Sequence, residues 1–439
     1  MHWGLTKRFS LLTVVTALAL MASVSRPTAA RADVKPGDFI TVQNADKVKD
    51  ITSPGTFYKV MHGMTMKIMP TGRIDWPPPY KDATEKYSAQ VRLANDHRGI
   101  VGYVAGLPFP MLDVNDPNVA TKIMWNNAFR PIFTDDYDLR FFDCESVYSE
   151  AGRKQTSQVA NFQVGHYAGY SLVGRTEVDP MPFDPDFKAT GRYWLFGLYP
   201  ILSPQEIKGT GFVRWRYSDP RKGDDVWTFL PTSHRLRRLN ETNLSDSTAP
   251  GTAAHAWDPD HYTGFNAKNE EYNYKFLADR RILTVAEATH SPEIRCDTDN
   301  GASACPEGWE LRNDYVIEAT PTPDRASGAR DSKTIVYVDS ELWFPLDANT
   351  YDRRGELRIS NIHMVAFRDR PVPDAKIAIY PFKRLFVVGA VSTDVQSGLA
   401  TMCYLPGIDT PERECWYINM GAVDKNFFAP SAMVNAAGR

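Results

Sequence analysis

After residue 32 this 439-residue chain has no apolar run near the roughly 20 residues that cross a bilayer as a helix. A helical membrane domain is therefore not expected downstream. The chain also lacks a dominant charge: 50 basic residues face 53 acidic ones, for a net −3. No sequence-wide pull towards nucleic acid or an anionic surface follows, and nucleic acid is not an expected partner. Catalytic signatures are missing too. Nine histidines include no H-E-x-x-H and no pair at four-residue spacing, and no two cysteines make a C-x-x-C, so a zinc site of either type is not expected. Gly169-Tyr170-Ser171-Leu172-Val173 has Val173 where a nucleophile elbow needs glycine, and reads as a strand or turn. Asp297-Thr298-Asp299-Asn300-Gly301 lacks the fifth-position acid and closing Glu of a calcium loop. His255, Asp258, Asp260 and His261 read as a capped surface turn rather than a metal site. There is no internal repeat, low-complexity tract or clear linker. These absences predict no catalytic residues, no metal and no cofactor, and a protein that is not an enzyme.

The opening segment is rich in information. Lys7 and Arg8 precede an apolar run from Phe9 to Ala22, and Ala30-Arg31-Ala32 gives the small-x-small pattern of a cleavage site. Residues 1–32 are thus expected to be a cleaved export signal, leaving 33–439 as one periplasmic domain. Five cysteines suit an oxidising compartment. Cys296 with Cys305, and Cys403 with Cys415, are spaced to close hairpin-like loops as disulfides, which leaves Cys144 as a buried free thiol.

Alternation predicts antiparallel strands. Val213, Trp215 and Tyr217 share one face and Arg214 and Arg216 the other. An Asp/Pro/Gly-rich loop leads to a second strand, Val226 to Leu230. Others are expected at Tyr272–Leu277, Tyr315–Ala319, Lys333–Asp339, Leu342–Leu346, Glu356–Ile362 and Leu385–Val391, in a meander punctuated by turn residues. Helical spacing covers Tyr80 to Asp96. Asp116-Pro117 opens a second helix through Trp125 and Phe129, and Asp258-Pro259 a short turn ending near Gly264-Phe265. The fold class is α+β.

Several segments together carry a resemblance. Arg214 to Asn240 (RWRYSDPRKGDDVWTFLPTSHRLRRLN) is similar to the strand-loop-strand segment of the LolA/LolB-like superfamily. With Tyr103 to Pro110 (YVAGLPFP), Lys122 to Asn126 (KIMWN), Gly264-Phe265, Glu341 to Gly355 and the terminal Gly438-Arg439, the chain resembles a proteobacterial family of unknown function named for outer-membrane lipoprotein sorting. The resemblance implies a large curved antiparallel sheet, a half-open β-barrel wrapped around a few helices, whose apolar cavity holds acyl chains. It also implies a periplasmic address near a transporter of the resistance-nodulation-division type in the inner membrane and an outer-membrane component. Residues beyond about 363 extend past a minimal carrier of this fold.

The expected function is a periplasmic carrier or chaperone for a hydrophobic ligand, a lipid or lipoprotein acyl chain. The alternative is a ligand-free accessory subunit of such a transporter. Candidate ligand-binding residues are Trp215, Tyr217, Trp227, Phe229 and Trp343, with Arg235 and Arg237 as anion-binding guanidinium groups. Arg238 is expected on the opposite strand face, beside Arg214 and Arg216. Asp258, Tyr262 and Phe265 form a candidate lid.

Overall fold

Apolar residues recur in long stretches broken by turn residues, and the chain satisfies their backbone groups by pairing each strand with the next. The strands are β1 (Asp136–Tyr148), β2 (Ser157–Ser171), β3 (Arg192–Leu198), β4 (Gly211–Tyr217), β5 (Asp225–Leu230), β6 (Arg235–Leu239), β7 (Tyr272–Thr284), β8 (Gly308–Pro321), β9 (Asp331–Asp339), β10 (Pro345–Asp352), β11 (Leu357–Arg368), β12 (Arg384–Asp394) and β13 (Leu399–Tyr404). This computed structural model describes residues 33–148, 157–239, 264–288, 304, 307–326, 331–370, 379–405 and 415–437. The export signal, Asp258, Tyr262, Cys296 and Cys305 lie outside the described residues.

Pairing is antiparallel throughout, in the order β7-β8-β9-β10-β11-β12-β13-β1-β2-β3-β4-β5-β6. Every neighbour in that order is also a neighbour in sequence except one: β13 returns to pair with β1. Four short strands, Phe39–Ile40, Met66–Ile68, Ile201–Ser203 and Trp416–Ile418, complete a 17-stranded sheet. Among the described residues the sheet does not close, with β6 and β7 as its edges, and forms a half-open barrel.

Helix α1 (Pro54–Met61), α2 (Pro78–Tyr87) and α3 (Val119–Ala128) pack on this sheet. Seven of the ten α3 residues are buried, so the helix is apolar nearly all round and the sheet wraps it. Its core joins Ile123 and Met124 to Ile317, Val336 and Val338. Helix α1 covers the other face. Ser53 and Thr56 donate to Asp347 at 2.6 and 2.5 Å, and Gly55 N–H to Asn349 at 2.6 Å. Asp347 and Asn349 alternate with Ala348, which pairs with Val336 on the α3 side. Gly55 permits this approach, since a Cβ there would lie 2.4 Å from Ser360 Oγ. With both faces covered, β10 to β12 are buried almost end to end, and polar residues such as Asn349, Ser360 and Thr393 are interior.

The structure corrects several expectations. Leu342 to Phe344 is a buried turn, not a strand: the Asp339 carboxylate accepts from the backbone N–H groups of Glu341 and Leu342, both at 2.8 Å, and Trp343 takes φ 54°. The helix expected through Asp96 stops at Tyr87, because Asp96 caps a turn by accepting from Arg98 and Gly99 N–H and turns the chain into a hairpin, Arg92–Leu93 with Ile100–Val101. Residues beyond 363 supply β12 and β13 in the middle of the sheet. The C-terminal helix α4 (Pro430–Ala437) packs against β4 and β5.

Cysteine pairing is also corrected. Cys403 bonds to Cys144, its direct cross-strand partner at the β13–β1 join, with Cα atoms 4.1 Å apart, and Cys415, which is buried, is not its partner. Local spacing favoured the short loop, but sheet register placed a residue distant in sequence opposite Cys403.

Two predictions follow from these contacts. Alkylation of denatured, unreduced protein followed by peptide mapping should recover Cys144 joined to Cys403. Cys403→Ser should lower stability by about 2–5 kcal/mol, as expected for a bond closing so long a loop; a Cys403–Cys415 linked peptide would refute the pairing. Burial raises the Asp347 carboxyl from 3.8 to about 6, against the donors Ser53, Thr56 and Asn349. The folded site favours the neutral acid, so this stabilisation is complete below pH 3.8 and is lost as pH rises through about 6. Chemical denaturation should show wild type losing about 3 kcal/mol relative to Asp347→Asn between pH ~4 and ~7. A difference that does not change with pH would remove Asp347 as the titrating group.

Candidate functional site

Asp116 starts α3: its carboxylate accepts from Asn118 N–H at 2.8 Å and pairs with Lys122 at 2.5 Å. The helix then presents two adjacent buried asparagines. Asn126 brackets Phe109, donating to its carbonyl and accepting from its N–H, both at 2.8 Å. Asn127 donates to Phe265 O at 2.6 Å. That bond anchors a strap, residues 264–269, that leads into β7. Gly264 N–H donates to His363 Nε2 at 3.1 Å, Arg130 Nη2 to Asn266 Oδ1 at 2.7 Å, and Arg216 to Asn266 O. The strap thus ties α3 to strands from both parts of the sheet.

Two chambers lie between α3, the strap and β3–β4. The inner one, about 90 Å³, is bounded by Arg130, Phe133, Tyr137, Trp194, Arg216 and Asn269. The outer one, about 380 Å³, lies under the Arg92–Val101 hairpin and is bounded by Tyr103, Phe183, Phe187 and Glu270. Trp125, Phe129, Val173 and Tyr193 line both. The rings support one another: Tyr103 stacks on Phe129 with centroids 3.9 Å apart, and Trp125 on Phe129 at 5.9 Å. Trp125 Nε1 also donates to Arg98 O at 2.7 Å, fastening the hairpin to α3. Gly106 lets the following chain turn: its φ is 78°, and a Cβ would meet Thr84 N at 2.4 Å.

Electrostatics divide the chambers. Burial lowers the Arg130 pKa to about 10, and its guanidinium donates to Asn127 O and Oδ1 at 2.8 and 2.9 Å. Arg216 pairs with Asp224 at 2.8 Å. Burial raises the Glu270 carboxyl despite the pull of Lys268 and Arg216. Among the described residues no group of three His, Cys, Asp or Glu side chains is arranged to hold a metal.

The residues singled out in the sequence fall elsewhere. Trp215 stacks near Trp227 at 4.3 Å and donates Nε1 to Phe428 O at 2.9 Å, beneath the C-terminal segment. Phe229 packs with Met433 of α4, and the Tyr217 hydroxyl donates to Asp225 at 2.6 Å. The alternation in β4 is present, but the faces are the reverse of a half-buried strand: Arg214 and Arg216 point inward, compensated by Asp224, and the aromatic face is covered by α4. Trp343 is packed under α3. Arg235 and Arg237 are exposed on edge strand β6. Register puts Arg238 opposite Trp227, on the Val213 face, where it pairs with Asp225, so it does not join Arg214 and Arg216. Of the candidate lid, Phe265 is fully buried in the strap and lines the inner chamber; Asp258 and Tyr262 lie outside the described residues. Arg130, Phe129, Tyr193 and Asn269 were missed as site residues. The available signal was the pair of asparagines ending the buried run Lys122 to Asn127, together with Gly264-Phe265.

These features define a half-open antiparallel barrel with an aromatic cavity at its opening. Residues 39–433 match the family of proteins of unknown function DUF1329, and the chain belongs to that family. Among solved structures it is similar to a Vibrio parahaemolyticus domain named for outer membrane lipoprotein sorting, with 16% identity, 71% of this chain and 97% of that one covered, and a TM-score of 0.45. A DUF1329 family protein from Desulfovibrio piger gives 15% identity, 68% and 91% coverage and a TM-score of 0.39. A LolA superfamily protein from Nitrosomonas europaea gives 12%, 71% and 97%, and 0.36. No curated protein matches the chain significantly.

If Asn127 holds the strap, Asn127→Ala should cost about 1–3 kcal/mol by stranding the Phe265 carbonyl. Hydrogen exchange should then rise across residues 264–268 with the sheet unchanged. Unaltered exchange there would show that the strap is held without it.

Proposed function

We propose that this protein is a periplasmic, non-enzymatic carrier that shields a hydrophobic ligand between envelope membranes. The observation that carries this reading is the outer chamber, where Tyr103, Trp125, Phe129, Phe183, Phe187 and Tyr193 converge beneath a hairpin. Its volume falls in the range of small-molecule sites. An amphiphile crossing water must keep its chain dry, and each buried methylene contributes about 0.8 kcal/mol. A cavity in a half-open barrel provides that environment without a membrane. The signal-like residues 1–32 support the periplasmic address, and hand-over from an inner-membrane to an outer-membrane component is part of the reading. No helix among the described residues is long and apolar enough to cross a membrane.

Native mass spectrometry of protein purified from periplasm without detergent, followed by organic extraction, should reveal a co-purifying hydrophobe. Val173→Trp, which fills the wall common to both chambers, should cut uptake of labelled lipid about tenfold or more at a cost of about 1–3 kcal/mol in stability. A clean apo mass together with no uptake from a lipid panel would overturn the carrier reading.

A further inference from the structure

The two chambers differ in charge as well as size. Arg130 and Arg216 border the inner one. Among the described residues that line the outer one, the charged side chains are both acidic, Asp96 and Glu270. Asp96 stands exposed on the rim and accepts from the Arg98 and Gly99 N–H groups at 3.0 and 3.3 Å, which hold its carboxyl below the usual carboxylate range. Arg98 sends its own guanidinium to Asn273 at 3.2 Å. Glu270 is less well provided. Its Oε2 is buried with no hydrogen-bond partner among the described residues, and burial pushes its carboxyl up. The Tyr193 hydroxyl is raised by burial and further by the Glu270 charge, so the acid and that ring are neighbours. The cations close to Glu270 are committed elsewhere: Lys268 donates to the carbonyls of Asp219 and Lys222 at 3.1 and 2.7 Å, and Arg216 pairs with Asp224 at 2.8 Å. The adjacent acid, Glu271, is held by Arg325. A buried acceptor left unmet carries a desolvation cost that a donor on a bound ligand removes.

We infer that the outer chamber takes an amphiphilic ammonium, a protonated amine on one apolar chain, whose N–H groups donate to Glu270 and whose charge lies among the rings of Phe129, Phe187 and Tyr193. This rests on the carrier reading and adds the ligand's class. Aromatic rings attract a cation through their quadrupole, and more strongly where water is excluded. The rings here are braced: Tyr103 stacks on Phe129 at 3.9 Å, Phe183 on Phe187 at 6.2 Å, and Tyr193 lies 6.4 Å from Phe129. An ammonium carries three donors. Besides Glu270, the wall offers Ser218, whose hydroxyl donates to Gly191 O at 3.2 Å and keeps its oxygen lone pairs as acceptors. A neutral head could satisfy Glu270 but would gain nothing from the rings. An anionic head would meet both acids with no basic side chain among the described lining residues. The volume, about 380 Å³, sits near the lower end of small-ligand sites, which favours one chain over several.

The test compares decylammonium, decanol and decanoate, each below its micellar concentration, binding to the full-length mature protein at neutral pH by isothermal calorimetry. Decylammonium is expected to bind about tenfold tighter than decanol, the margin of a desolvated cation among rings beside one acid, and decanoate more weakly than either. Glu270→Gln keeps the shape and removes the charge, so the preference for decylammonium should fall to about threefold or less. Phe187→Leu keeps an apolar wall and removes one ring, and should lower the preference about twofold. Near-ultraviolet circular dichroism checks that both variants are folded. Equal binding of decylammonium and decanol, tighter binding of decanoate, or an undiminished preference in Glu270→Gln would overturn the ammonium assignment while leaving the carrier reading intact. If none of the three binds, both the inference and the carrier reading fall.

Discussion

One non-local seam holds this architecture together. Eleven of the twelve pairings among the thirteen main strands form by folding back on the neighbouring segment, as in any meander. The pairing of β13 with β1 is different: six residue pairs from Leu399–Tyr148 to Tyr404–Asp143 join segments about 250 residues apart. Closing such a loop costs more entropy than any hairpin in the molecule. The seam offsets that cost with concentrated interactions: the Cys144–Cys403 bond, a Ser146–Thr401 hydroxyl pair at 2.8 Å, and the flanking Trp416–Ile418 strand on β1. Without it, strands β7–β13 and β1–β6 would be two separate sheets, each with an extra edge.

The seam also decides where the opening lies. With β13 fixed to β1, the remaining edges among the described main strands are β6 and β7. A closed barrel would bond these edges to each other and leave no entrance. Here the strap is held by side-chain bonds from Asn127 and Arg216 to its carbonyls and from Arg130 to the Asn266 amide oxygen. Side chains leave space that a strand ladder would fill, and the chambers lie in that space. The polar groups near them, Asn127, Arg130 and Arg216, are structural ties that hold the strap.

Legibility in the sequence followed the range of the interaction. Strands whose alternation is decided by neighbours, such as β4, β5, β8 and β9, were readable, with boundaries short by a few residues. The strap residues Gly264-Phe265 and the KIMWN run were visible as landmarks, although not as parts of one site. What was not legible depended on distant partners. Arg214 and Arg216 look like a solvated face until Asp224 is known to be buried with them, and Trp215 looks free to bind until Phe427 and Phe428 are known to cover it. Cysteine spacing favoured Cys415 for Cys403 because loop length was the available guide, whereas the register of the seam selects Cys144. The strands β10 to β12 hid their polarity for a related reason: with helices on both faces, the period of two no longer separates inside from outside.

The aromatic residues illustrate the same rule at the level of function. Ten tryptophans suggest a greasy concavity, yet Trp215 packs under Phe427 and Phe428, Trp227 against α4 and Trp343 against α3, and the chamber is built mainly from Tyr103, Phe129, Tyr193 and Trp125. Ring content thus measures how much apolar surface must be covered, while topology determines which rings remain available. In this fold Trp125, Phe129 and Tyr193 are rings that line both chambers.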